Sequence, residues 1–198
     1  LAAAVSDIVA AQSEWETSDP DLSAPIVPEG LSLHYGVESP VLANGDDAVD
    51  LEDKVDGLVG NNRFSIAFEM IPERVDRGVV FTTEAGGTTR KGVFVAFHEG
   101  RLRFSINSRW IAGVTMVETE RVFESGEPVH IALTNDGAQR ARDVSVWING
   151  ERAETRTIHN TNSNKMDIEG ETSATVGAGR HHPSWRGALS DLRFYSRR

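Results

Sequence analysis

The sequence predicts an all-β protein, built as an antiparallel sandwich, on three observations. Beyond Gly30, apolar residues recur at every second position in one segment after another. Gly, Asp and Asn turns separate most of these segments, and no convincing helical period follows residue 30. Strands alternating with helices would imply a parallel sheet; strands joined by turns imply antiparallel layers.

The elements follow in order. Leu1 to Ser18 is Ala-rich, with Leu1, Val5 and Ile8 on one stripe, and predicts a short amphipathic helix. Asp19-Pro20 ends it, and Pro25 and Pro28 keep the next stretch extended. Residues 1–29 therefore read as a helix and linker appended to a domain over residues 30–198. The first residue is Leu, which points to a processed chain or a piece of a longer polypeptide. The segment makes a poor signal peptide: no basic region precedes it and Asp7 interrupts its apolar run.

Short strands are expected at LSLHY and AVDL. Arg63 to Ile71 then alternates Phe64, Ile66, Phe68 and Met70 against Ser65, Ala67 and Glu69, a half-buried strand that Pro72 closes. After VVFTTE, Gly92 to Asn107 reads as a hairpin turning at Glu99-Gly100, with Arg101, Arg103 and Ser105 opposite the apolar face. A strand at 111–119 and another over Pro128–Thr134 follow. Asp143 to Ile158 reads as a second hairpin: Val144, Val146 and Ile148 face inward, Trp147 faces away, and Asn149-Gly150 forms the turn. Ser173–Gly177 and Gly187–Tyr195 complete ten or eleven strands.

Composition narrows the function classes. Thirty acidic against twenty basic residues give a net charge of −10, which argues against nucleic acid as a partner and against anionic membranes. The chain has no Cys, which excludes disulfides, thiol nucleophiles and Cys-ligated metals. No apolar run reaches the ~20 residues of a membrane span, so no membrane insertion is expected. Charge is uneven: Leu1 to Asp53 holds twelve acidic residues and no Lys or Arg, and seventeen of the twenty basic residues are Arg. Arginine suits bidentate contacts with carboxylate or phosphate, although a high-GC coding bias with solvated strand edges is the favoured reading of such usage.

Four stretches in order resemble the laminin-G-like jelly roll of the concanavalin A-like lectin/glucanase superfamily: NNRFSIAFEMIPE, EPVHIALTNDG, DVSVWINGERAE and TVGAGRHHPSWRGALSDLRFYSRR. The resemblance covers roughly residues 30–198. The last stretch is also similar to laminin-G-like inserts of large planctomycete cytochrome-c-associated surface proteins. The resemblance implies an antiparallel β-sandwich of the jelly-roll type, used for carbohydrate binding, for protein adhesion or as an accessory module. It does not select among these uses.

Catalytic chemistry is poorly represented. Glycosidases of this fold place acids on one strand, where a spacing of two residues puts both on one face. Glu118 and Glu120 have that spacing but lack the third acid, and a plain strand face explains them. No Ser-His-Asp order, phosphate loop or His-Glu-x-x-His motif occurs. Calcium is the ion the resemblance implies, through six to eight oxygens. Asp46 and Asp47 in an acidic turn are its candidate ligands, with Asp191 from the closing strand; a solvated loop and an Asp191–Arg193 pair are the alternative. His181-His182 are adjacent and precede Pro183, which suits a loop better than zinc. His130 reads as a packed or hydrogen-bonded strand residue.

Sugars stack on aromatic rings while polar side chains bind their hydroxyls. The candidate ligand-binding residues are Asn107, Arg109 and Trp110 at one strand end, with Arg180 and Trp185 in a polar loop. Core packing is the competing role for each Trp. The leading expectation is a non-catalytic carbohydrate- or protein-binding (adhesion) module of a larger multidomain protein. Its partner would be a glycan or a neighbouring protein domain, and its place extracellular, on the cell surface or in the periplasm. The alternatives are an architectural spacer with no free ligand and a glycoside hydrolase.

Overall fold

The computed structural model describes residues 31–35, 41–44, 49–55, 63–83, 91–109, 112–138, 140–162, 172–177 and 183–197. The strands among them are β1 (Leu31–Tyr35), β2 (Val41–Asn44), β3 (Val49–Val55), β4 (Arg63–Pro72), β5 (Arg77–Thr82), β6 (Gly92–His98) and β7 (Arg101–Arg109). They continue with β8 (Gly113–Thr119), β9 (Val129–Asn135), β10 (Val144–Ile148), β11 (Glu151–Arg152), β12 (Thr155–Asn160), β13 (Thr172–Val176) and β14 (Arg186–Arg197). Among the described residues the only helical element is the 3-10 turn Ala141–Asp143.

Two sheets of seven strands face each other. Sheet I runs β1-β14-β4-β9-β10-β11, with β2 also pairing to β14, and sheet II runs β12-β8-β7-β6-β5-β13-β3. Every pairing of named strands is antiparallel. The all-β sandwich expected from the alternation is the fold observed.

The period of two explains which residues meet. On β4, Phe64, Ile66, Phe68 and Met70 are buried while Ser65, Ala67 and Glu69 stay half-buried on the other side. β9 repeats the pattern with Val129, Ile131 and Leu133 inward. From sheet II come Val93, Val95 and Phe97 on β6 and Leu102, Phe104 and Ile106 on β7. Within sheet I, Phe64 stacks on Phe194 of β14 at 5.7 Å, and it bridges the layers by meeting Phe104 of β7 edge-on at 6.3 Å. Each such buried side chain contributes roughly 1.5–3 kcal/mol. The predicted turns form as read, with Glu99-Gly100 and Asn149-Gly150 all at positive φ.

Two expectations need correction. The strands number fourteen among the described residues, because short pieces such as β2 and β11 are separate. The second hairpin is also shorter than read: Trp147 and Ile148 pair with only Arg152 and Glu151. The chain then crosses to sheet II, where β12 pairs with β8. Polar, largely exposed residues after Gly150 carry no alternation that would have marked the crossing. The appendage expected over residues 1–29 lies outside the described residues.

Candidate functional site

Residues that pair across antiparallel strands share a face, so the registers of sheet II define the rows of its outer surface. One row runs Val79, Ala96, Arg103, Glu118, Arg156 across β5, β6, β7, β8 and β12. Beside it lie Arg77, His98 and Arg101. On the other side lie Phe94, Ser105 and Met116, and beyond them Gly92, Asn107 and Val114.

Glu118 organises the charged row. Its side chain has no exposed area, whereas Arg103, Arg156 and His98 above it are 23%, 50% and 42% exposed. Arg103 Nε donates to one carboxylate oxygen at 2.5 Å and Arg156 Nε to the other at 2.9 Å, with Arg156 Nη2 also donating there. His98 Nδ1 stands 3.7 Å from the first oxygen. Burial alone pushes the Glu118 carboxyl up, but the hydrogen bonds and charges of Arg103 and Arg156 outweigh it and hold the group below the usual carboxylate range. Arg101 is anchored at the rim, donating to the carbonyls of Thr119 and Glu120 and lying 3.7 Å from the Glu120 carboxylate. The surface thus shows guanidinium donors to solvent with the carboxylate beneath them.

The neighbouring rows are closed. Phe94, Val114 and Met116 form a buried apolar cluster with half-buried Ala96 and Ile158 packed against it. Ser105 and Asn107 are buried too, with Ser105 Oγ donating to Asn107 Oδ1 at 2.8 Å. Among the described residues of these rows, the end carrying His98, Arg101, Arg103 and Arg156 combines polar groups with access.

The sequence candidates scatter around this geometry. Asn107 lies on the same strand face as Arg103 but is shut in, and Arg109 ends β7 opposite Gly113. Trp110 and Arg180 lie outside the described residues. Trp185 has no exposed area and packs in the main core, so its ring offers no stacking platform. The reason is local: the Ser184–Trp185 backbone runs against Gly78, where a β-carbon would stand 2.6 Å from the Ser184 oxygen. Asp46 and Asp47 also lie outside the described residues. Asp191 is buried at positive φ, and Arg193 engages both its oxygens, at 2.8 and 2.7 Å. A carboxylate clamped by a guanidinium does not fit a calcium ligand. Among the described residues no group of three or more His, Asp or Glu side chains is placed to hold a metal ion. No described helix is long and apolar enough to cross a membrane.

Glu118 was visible as an acid in a strand, and Arg101 and Arg103 as a polar face. What the sequence lacked was the register that sets Arg103 and Arg156 on either side of Glu118.

Comparison with solved structures gives relatives of the same fold. The carbohydrate-binding module CBM40 of the Ruminococcus gnavus IT-sialidase, solved with α2,3-sialyllactose, superposes with a TM-score of 0.59 at 13% identity, over 84% of this chain and 92% of that one. Domains LG4-5 of the mouse laminin α1 chain give 0.54 at 14% identity, over 83% of this chain and 41% of theirs. The binding domain of botulinum neurotoxin serotype D gives 0.54 at 12% identity, over 79% of this chain, which spans only 38% of that structure. No curated protein matches the chain by sequence. The Laminin_G_3 family, described as concanavalin A-like lectin/glucanases superfamily, matches residues 43–198, and with this sandwich beneath the match the chain belongs to that superfamily.

Proposed function

We propose that this chain is a non-catalytic binding module that recognises an acceptor-rich glycan with the open end of sheet II. The observation that carries this reading is the row Arg103–Glu118–Arg156, in which one buried carboxylate fixes two guanidiniums that remain partly exposed. Rotamers held by such contacts lose little further freedom on binding. Guanidinium forks suit carboxylates and paired hydroxyls of sugars. The relative bound to sialyllactose makes sialylated oligosaccharides the first probe to try.

The same row argues against hydrolysis. A general acid needs a raised pKa and a nucleophile needs access; Glu118 has a lowered pKa and is enclosed. Placement outside the cell, within a larger multidomain protein, is part of the proposal. Calcium on Asp46 and Asp47 would be an addition to it, tested by isothermal titration with Ca²⁺ after chelation.

An array of sialylated and neutral glycans, followed by titration of the strongest hit, tests the reading. Arg103→Ala and Arg156→Ala should each weaken that hit by about tenfold, as loss of a charged anchor does. Silence across the array, or hits indifferent to both substitutions, would leave the spacer reading. The closed rows around Phe94 and Asn107 favour that second reading, since they remove most of this face from contact.

A further inference from the structure

The outer face of sheet I is built differently. Its registers place Tyr195, Ser65, Thr134 and Ser145 in one row across β14, β4, β9 and β10. The next row is Arg193, Ala67, Ala132, Trp147 and Arg152, and the one after it Ser190, Glu69 and His130. Ser65, Ala67, Glu69, His130, Ala132, Thr134 and Ser145 are all half-buried, so the middle of this face is open where that of sheet II is closed. Trp147 stands over it with 37% of its surface exposed; apart from it, Val122 is the only exposed large hydrophobic residue among the described residues.

Trp147 and half-buried Tyr195 lie three strand spacings apart across the sheet and two residues apart along it, about 16 Å, the reach of a short oligosaccharide. Between them the floor is small side chains and hydroxyls: Ala67, Ala132, Ser65 and Thr134. Bulky residues there would block a ligand lying across the strands; these leave the strip between the two rings free of large side chains. The charges on the face balance locally. Arg193 is clamped by Asp191, Arg152 donates to Ser145 Oγ at 3.3 Å, and Glu69 is the remaining acid of these rows. Burial pushes the His130 imidazole down, with the Asp191 carboxylate opposing and Arg193 adding to the shift, so it stays neutral near pH 7. Of the two guanidiniums in these rows Arg193 is clamped by Asp191 and Arg152 lies exposed at the far edge, so that with Glu69 the rows sum to no net charge that would draw an anionic ligand. A protein partner would need an apolar interface core, and two separated rings with hydroxyls between them do not provide it. Flat apolar CH faces edged by hydroxyls match what is present.

We infer that the outer face of sheet I is a second binding surface, for a neutral oligosaccharide lying across β14, β4, β9 and β10 between Tyr195 and Trp147. It is independent of the arginine row on the opposite sheet.

The test uses the whole chain and titrations with neutral tri- and tetrasaccharides that score on a glycan array. Trp147→Ala and Tyr195→Ala should each weaken binding by about tenfold, and Ser65→Trp should abolish it by blocking that strip, while Arg103→Ala leaves the same titration unchanged. Thermal melts of each variant separate lost binding from lost folding. A lack of neutral-glycan binding, binding that survives Trp147→Ala in a folded variant, or binding that depends on Arg103 would overturn the inference. So would sedimentation showing that Trp147 instead holds two copies of the chain together. Sialylated-glycan binding through Arg103 and Arg156 stands or falls separately.

Discussion

The indole of Trp185 lies against the backbone of Gly187, so that a β-carbon on Gly187 would stand 2.4 Å from Cζ2 of the ring and 2.6 Å from the carbonyl oxygen of Ile71. The residue just before β14 and the second residue of that strand thus lock together: the glycine gives up its side chain to admit the ring. Gly187 also has a φ of +156°, which L side chains rarely adopt.

Gly187→Ala should therefore destabilise the domain by about 3 kcal/mol or more, since both contacts are with groups that cannot swing away. Urea denaturation followed by Trp fluorescence measures this. A loss under ~1 kcal/mol would mean that the ring and the strand separate easily.

Two tryptophans should behave oppositely. Trp185→Ala removes a fully buried ring and should cost about 3–5 kcal/mol. Trp147→Ala removes a ring from the open face of sheet I and should change stability by ~0.5 kcal/mol or less. Paired thermal melts distinguish them.

Glu118→Gln should cost about 2 kcal/mol, because it leaves Arg103 and Arg156 facing each other without the intervening charge. The solvent around Arg156 keeps the figure below that of a fully enclosed pair. Chemical denaturation of the variant checks it, and an added Arg156→Ala should then cost less than it does alone.

Acid should expose the same carboxylate. Its folded pKa lies below the ordinary 4.5, so the unfolded chain takes up the proton first. The stability it contributes is complete above about pH 4.5 and is lost as the pH falls through the lower folded value. Urea midpoints measured from pH 6 down to 3 should decline more steeply for the wild type than for Glu118→Gln.

His130 adds a step at higher pH. Burial is the main cause of its lowered pKa, and the unfolded residue titrates near 6.5. The unfolded state therefore binds the extra proton below that value, and stability should fall as the pH drops from 6.5 towards the folded pKa. His130→Gln should remove this part of the slope, and imidazole NMR shifts should show the titration below 6.5 in the folded chain.

Sequence and structure agree where side chains face one way at a time. Alternation in Arg63–Ile71 and the Asn149-Gly150 turn are local signals, and both strands and turns form as read. The crossing of β12 to sheet II is decided by a partner far along the chain, β8, so polar residues after Gly150 did not reveal it. Trp185 sits among polar neighbours in the sequence, yet Gly78 and Gly187 make room for its burial. The Arg103–Glu118–Arg156 row needs three strands in one register before it exists at all. Trp147 was readable as outward-facing from Val146 and Ile148 alone, whereas the small-residue floor beside it required the pairing with Ala132 and Ala67.

β14 binds to β1, β2 and β4 in the interior of sheet I. A nascent chain leaving the ribosome must hold β4 and its exposed phenylalanines without that neighbour until residues 186–197 emerge. Assembly of this layer therefore waits on pairing between segments more than a hundred residues apart, the kind of long-range closure that makes folding slow and leaves truncated products prone to clump.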